Sequence, residues 1–396
     1  MVEPIFYNPL DPRVHADPYL HYRQLREADP VHRSALGFWV LSRYRDIAHL
    51  LRDPRLGHEL SDQEELGLLY SAEGASMLFR DPPAHTRLRA LVSKAFTPRM
   101  LESWRGRIHQ IVSQSVERAK ERGEIDVIAD LAFPLPATVI CEMLGLPTED
   151  QDQCRRWTNA LTKSLDPVMS AAEADELGFA AVEFRDYLAG RISERRDRPG
   201  EDLMTALIAA REQGDRLSQD ELISTISLLF VAGHETTTNL IGNGLLALLR
   251  NPDQLRRLRD DPSLLRNAIE EVLRYDSPVQ FVVRTVKQPI DLDGDQMAPG
   301  DPVLLLVAAA NRDPAQFKEP DVLDLGRHDI RHLSFGGGIH FCLGSVLARM
   351  EGQIALGALV SNFDRLEIAA DRLQWRPHIN LRGLESLPLE VGRSGG

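Results

Sequence analysis

Residues 335–344 read Phe335-Gly336-Gly337-Gly338-Ile339-His340-Phe341-Cys342-Leu343-Gly344. Three glycines, then a cysteine, then a helical apolar pattern from about 343 to 362 place Cys342 at the end of a flexible loop and the start of a helix. Backbone N–H groups and the dipole at a helix start favour negatively charged sulfur, and glycines let the backbone approach a large flat ligand. A small buried apolar residue after a flexible turn would look the same, and for an arbitrary lone cysteine that is the commoner case.

Upstream, Ser218 and Glu221 have capping-box spacing and no proline follows until Pro252, so one helix is predicted over about 219–250. Its middle, Ala232-Gly233-His234-Glu235-Thr236-Thr237-Thr238, carries a glycine and three threonines that cost helix propensity. A zinc helix of the form His-Glu-x-x-His fails there, because Thr238 occupies the position of the second histidine. From Pro83 to about Arg250 the chain reads as mostly helical, with breaks at Thr97–Pro98, Pro147, Pro167, Pro199 and Gly214. Before it come a short helix, Tyr19 to Ala28, a hairpin from Val31 to Ser42, and a loop over 57–80. After it, 278–306 alternates in strand fashion around Asp293-Gly294-Asp295, and 366–391 reads as short strands and turns. The class is mainly α with a small β-rich part.

The chain has 396 residues, 43% hydrophobic and 27% charged, which suits a globular protein with a large core and excludes disorder, collagen and coiled coil. A net charge of −13 weighs against a general nucleic-acid binder. Three cysteines without a CxxC pair make a disulfide framework or zinc knuckle improbable, and Cys141 and Cys154 read as structural. No signal peptide or membrane span is read, so a cytoplasmic protein without membrane attachment is expected. No linker divides 1–396, and a single domain is expected.

The stretch around Cys342 resembles the haem-binding signature of the cytochrome P450 family, Phe-Gly-x-Gly-x-His-x-Cys-x-Gly. All six specified positions are filled, by Phe335, Gly336, Gly338, His340, Cys342 and Gly344. At roughly 5% per residue type, a chance match in such a chain is on the order of one in a hundred thousand. The resemblance implies a single-domain fold with haem b between the long helix and the helix after the cysteine, and Cys342 as the proximal thiolate ligand of the iron. It further implies that Ala232 and Gly233 lie against the cofactor, and that Glu235 and Thr236 are the acid and alcohol that organise waters for proton delivery.

Three other groups gain meaning from it. Glu271 and Arg274, by themselves a weak i,i+3 surface pair, would be the buried Glu-x-x-Arg pair that locks to an arginine before the cysteine loop. Phe317, Pro320 and Arg327 fit that segment, while Leu323 stands where the family often has phenylalanine. His85 and Arg89, one helical turn apart, read equally as solvated basic surface; the resemblance places them, with Arg284, His340 and also His332, around the haem propionates.

The implied reaction is insertion of one oxygen atom of dioxygen into an apolar organic substrate, such as a polyketide, terpenoid, peptide or fatty acyl intermediate. Electrons would come from a separate ferredoxin or flavodoxin with its reductase, since the chain has no room for a flavin domain. Arg99, Arg105, Arg107, Arg331 and Arg349 are candidates for the basic docking patch. Substrate contacts are assigned by position to Leu68, Leu69, Leu228, Val231, Ala232, Val279, Phe281, Val282 and Leu387, each equally plausible as ordinary core. The loop 57–80 and the helices near 150–190 would form a mobile cover. Peroxygenase chemistry, oxidative coupling on the same site, and a non-catalytic haem sensor or carrier are the alternatives. A monomer is expected.

Overall fold

A computed structural model of the protein describes Val14 and residues 16–58, 76–166, 169–212 and 214–392. Leu68, Leu69 and most of the 57–80 loop lie outside the described residues.

In chain order the first elements are α1 (Tyr19–Ala28), β1 (Val31–Arg33), β2 (Trp39–Leu41), α2 (Tyr44–Leu50), β3 (Leu56–Gly57), α3 (Ala84–Ala95), α4 (Pro98–Ser103), α5 (Arg105–Arg122) and β4 (Glu124–Asp126). Helices α6 (Pro134–Leu144), α7 (Gln151–Leu161), α8 (Ala171–Asp197), α9 (Leu203–Ala209), α10 (Gln219–Arg250), α11 (Pro252–Asp260) and α12 (Leu265–Tyr275) follow. The chain continues with β5 (Val282–Val286), β6 (Ile290–Leu292), β7 (Asp295–Met297), β8 (Pro302–Leu305), α13 (Val307–Ala310), α14 (Ser345–Asn362), β9 (Arg365–Ile368) and β10 (Pro388–Gly392).

Local chemistry sets these boundaries. The Ser218–Glu221 box forms as read: the Ser218 amide donates to Glu221 Oε2 at 2.8 Å and the Glu221 amide to Ser218 Oγ at 3.2 Å, so α10 starts where expected. Thr97 accepts the Met100 amide and Pro98 opens α4. Asp293 and Gly294, with φ of 57° and 99°, make the left-handed turn that joins β6 to β7.

By their contacts the residues form two compact units, one of 1–57, 108–134 and 236–396, the other of 58–107 and 135–235. The first holds all the strands. Its main sheet runs β1-β2-β8-β5-β3, antiparallel except that β2 and β8 pair in parallel with Trp39 opposite Val303. Beneath it Tyr22, Leu25, Leu41, Ile47, Phe281, Val303 and Leu305 form a continuous core. A second sheet runs β4-β10-β9.

The second unit is helical and carries an aromatic cluster. Trp157 of α7 lies 5.2 Å from Phe184 and 5.1 Å from Tyr187 of α8, and Phe184 lies 5.5 Å from Phe230 of α10, centroid to centroid. The polar edges are satisfied, with Trp157 Nε1 donating to Glu183 at 3.0 Å and Tyr187 OH to Asp150 at 2.7 Å. Among the described residues no helix is long and apolar enough to cross a membrane.

Candidate active site

The cysteine loop is built within the first unit and is held from both ends. The Cys342 amide donates to the Phe335 carbonyl at 3.0 Å and the Gly336 amide to the Leu333 carbonyl at 2.8 Å. Gly336 and Gly338 take φ of 69° and 65°, and a Cβ at Gly338 would lie 2.5 Å from the Leu51 carbonyl oxygen just after α2. Glycine is therefore required for the left-handed backbone and for close approach. Gly344 caps the N-terminus of α14, and a Cβ there would touch Cys342 Sγ at 4.0 Å.

Before the loop, Asn311 acts as a clamp that the sequence reading missed. Its Nδ2 donates to Ser277 and Ser334, each at 2.8 Å, its Oδ1 accepts the Leu333 amide at 2.7 Å, and Ser334 Oγ donates to the Leu273 carbonyl at 2.6 Å. A single asparagine in Ala-Asn-Arg-Asp gives no periodic signal by which to find it.

The Glu-x-x-Arg pair is buried and does what the resemblance implies. Arg274 meets Glu271 at 2.7 Å through Nε and Nη2, and donates to the carbonyls of Asn311, Pro320 and Val322. Its guanidinium lies over the Phe317 ring at 5.4 Å, and Arg327 Nε donates to both Glu271 oxygens at 3.2 and 3.1 Å. Leu323 is buried with Leu255, Leu258 and Leu325, so it fills its position as ordinary core.

His332 has both ring nitrogens committed: Nε2 to Glu270 at 3.1 Å and Nδ1 accepting the Ser334 amide at 3.2 Å. Both ring nitrogens of His332 are thus engaged by protein groups in this structure. Arg349 grips the same Glu270 at 2.6 and 2.9 Å and stacks over Phe335 at 4.4 Å. These two partners hold the Glu270 carboxyl at about 2 against the opposing cost of its burial. Arg284 is buried on β5, and His340 sits in the loop.

In the second unit His85 and Arg89 lie on α3. His85 is buried, and burial together with the Arg89 charge pushes its pKa down, so the imidazole is neutral near pH 7.

Within α10, from Leu222 to Leu248, every residue is buried except Leu228, Ala232, Gly233 and Thr236. Positions 228, 232 and 236 fall at i, i+4 and i+8, which makes one open stripe of small and apolar groups ending in a hydroxyl. Glu235, next to that hydroxyl, is buried. Among the proposed substrate contacts, Leu228, Val279 and Val282 are partly open, whereas Phe281 and Leu387 are completely buried and Val231 nearly so. Phe281 belongs to the core under the main sheet, and the Leu387 backbone is tied to Val127 and Asp126, so neither presents surface to a ligand.

Of the arginines considered for partner docking, Arg105 pairs with Glu102, Arg107 with Glu142, Arg331 with Asp329 and Arg349 with Glu270. Each of these four arginines holds a carboxylate, and Arg105 and Arg331 do so at the exposed surface.

The donor set fits a haem. Cys342 is partly exposed at the start of an 18-residue helix, whereas Cys141 and Cys154 are buried. Among the described residues no three His, Cys, Asp or Glu side chains group to hold a bare metal ion. A single thiolate suits a metal whose remaining in-plane donors come from a macrocycle, and glycines beside the sulfur leave room for such a plane.

The comparisons agree with this geometry. The Cytochrome P450 family model matches residues 4–376. The chain is 45% identical over 395 residues to Cytochrome P450 107B1 of Saccharopolyspora erythraea, covering 95% of each, and 41% identical over 400 residues to Cytochrome P450 monooxygenase PikC of Streptomyces venezuelae, covering 96% of this chain and 94% of the other. A crystal structure of P450BioI in complex with an acyl carrier protein ligated to hexadec-9Z-enoic acid superposes with a TM-score of 0.92 at 38% identity, covering 96% of this chain and 99% of that one. A cysteine held at a helix start beneath a buried Glu-x-x-Arg lock, in a mainly helical fold with these sheets, is the architecture of haem-thiolate enzymes. The chain belongs to the cytochrome P450 family. It is a P450 monooxygenase whose cofactor is haem b.

Proposed function

We propose that the enzyme oxygenates an apolar polyketide or fatty acyl intermediate of a biosynthetic route, with electrons from a separate ferredoxin or flavodoxin and its reductase. The observation that carries this reading is the open stripe Leu228–Ala232–Thr236 on an otherwise buried helix. It offers a hydrocarbon chain apolar contact on one side and a single hydroxyl beside a buried carboxylate on the other. Relatives support the class: one is named for polyketide biosynthesis and another for biotin biosynthesis, both from Bacillus subtilis.

When bound, haem b supplies dioxygen activation, one oxygen atom entering the substrate and the other leaving as water. Cys342 is the residue that would hold the iron and donate electron density to it. Arg284, His340, His85 and Arg89 are assigned to the propionates, while His332 positions the loop through Glu270. Glu235 and Thr236 hold and pass protons at the carboxyl and hydroxyl oxygens, and Leu228, Val279 and Val282 orient the substrate and exclude water. Residues 1–396 are read as one functional domain, in agreement with the extent of the family match, and as a cytoplasmic monomer.

The test begins with the carbon monoxide difference spectrum of the reduced protein and its Cys342→Ser variant, in which a strongly red-shifted Soret band is expected and then lost. Soret titrations with free fatty acids, carrier-linked acyl chains and macrolactones follow. Saturable shifts with the acyl or polyketide ligands, weakened at least tenfold by Ala232→Phe, support the substrate class. Shifts only with unrelated ligands, or indifference to Ala232→Phe, would overturn it.

A further inference from the structure

Helix α12 carries two adjacent carboxylates, of which Glu271 makes the buried lock with Arg274 and Arg327. Glu270 gathers three donors from outside the helix. Its Oε1 accepts Arg349 Nε at 2.6 Å, and its Oε2 accepts Arg349 Nη2 at 2.9 Å and His332 Nε2 at 3.1 Å. Because His332 Nδ1 accepts the Ser334 amide, the ring proton sits on Nε2, and a neutral imidazole donates to Glu270. Both partners reach Phe335. The Arg349 guanidinium lies 4.4 Å from the centre of its ring, and the His332 ring lies 5.6 Å from it. Phe335 in turn holds the cysteine: its carbonyl accepts the Cys342 amide at 3.0 Å, and its ring meets that of Phe341 edge-on at 6.3 Å.

We propose that Glu270 is a positioning residue for the thiolate: it clamps Arg349 and His332 against Phe335, and so fixes the Cys342 backbone and sets how readily the haem iron takes up an electron. The proposal rests on Cys342 as the ligand of that iron. Arg349 is a long side chain on α14, and ordering it over one ring costs rotamer entropy. A two-point contact with a carboxylate on a neighbouring helix removes that freedom. With Glu270 lost, Arg349 leaves the Phe335 ring, the loop loosens around Cys342, and water reaches the partly exposed sulfur more often. Hydrogen bonds from water withdraw electron density from a thiolate and favour the reduced metal, so the potential rises.

A clamp differs from a bare charge in what it depends on. As a charge alone, Glu270 would act through space, whatever stood at positions 335 and 349. As a clamp, it acts through those two side chains. Arg349→Lys separates the two cases, because it keeps the positive charge beside Glu270 but loses the two-point contact and the planar stack over Phe335.

The experiment is a reductive spectroelectrochemical titration of the haem-loaded protein, with the carbon monoxide spectrum of each variant recorded alongside. Glu270→Gln, Arg349→Lys and Phe335→Leu are made singly, and Glu270→Gln is also combined with Phe335→Leu. Glu270→Gln should favour the reduced form about tenfold, which is about 59 mV upward for one electron. Arg349→Lys should shift the equilibrium the same way, by roughly threefold or more, although no charge is lost. In the Phe335→Leu background the shift caused by Glu270→Gln should fall below half. An unchanged potential in Arg349→Lys, a full Glu270→Gln shift in the Phe335→Leu background, or a downward shift in either single variant would each overturn the proposal. The Arg349→Lys result decides it even if Glu270→Gln fails to take up haem. A native protein without the red-shifted Soret band that Cys342→Ser abolishes would instead overturn the assignment of Cys342 to the iron, and the clamp's role with it.

Discussion

Glu271 and Arg274 face one another in a two-point ion pair, both distances 2.7 Å and both side chains without solvent exposure. Every remaining donor of Arg274 goes to the carbonyls of residues 311, 320 and 322, so this pair staples the segment leading to the cysteine loop onto α12. Arg274→Ala is expected to cost about 3–5 kcal/mol, because it leaves Glu271 buried with only Arg327 to balance it. Arg274→Lys should recover little, since an ammonium cannot make the two-point contact. Urea denaturation and the haem content of the purified variants measure this.

Glu351 on α14 is buried, neither of its oxygens has a hydrogen-bond partner, and burial raises its pKa from 4.5 to about 8. The unfolded chain loses this proton near pH 4.5 and the folded protein only near pH 8, so the unfolded state binds fewer protons between those values. Stability contributed by this site therefore falls as pH rises through that window. Glu351→Gln should remove the slope and gain on the order of 4 kcal/mol over the native protein at pH 8, with little difference at pH 4.5. Denaturation curves at several pH values decide it, and a pH-independent difference would show that the carboxyl is ionised in the fold.

Gly338 is required by geometry and not by chemistry. An alanine there would hold a left-handed φ of 65° and press against the Leu51 carbonyl oxygen. Gly338→Ala should lose about 1–3 kcal/mol and retain haem poorly, whereas alanine at Gly214, where φ is also positive but nothing lies within 4 Å, should carry only the backbone strain. Comparison of the two melting temperatures separates crowding from strain.

Thr236 lies at the open end of the α10 stripe, beside buried Glu235. Thr236→Ala should leave substrate binding and the carbon monoxide spectrum intact while the product formed per reduced nicotinamide falls by about tenfold, oxygen use persisting as peroxide. Glu235→Gln should slow turnover by about 10²-fold. Unchanged coupling in the first variant would remove the proton-delivery role.

The sequence alone determined what depends on neighbours along the chain. The α10 boundaries follow from the Ser218–Glu221 box and Pro252, the β6–β7 turn from Asp293-Gly294, and the thiolate position from the glycines and the helix start at Gly344. These are local interactions within a few residues, written directly in residue type. Tertiary structure alone decided which side chains are spent on packing or pairing. His332 is committed to Glu270, Phe281 and Leu387 are core, and the arginines at 107 and 349 already hold acids distant in the chain. It also brought Asn311 to Ser277 and Ser334. Burial and partner choice depend on residues distant in the chain that folding brings together, and no spacing along one strand or helix records them.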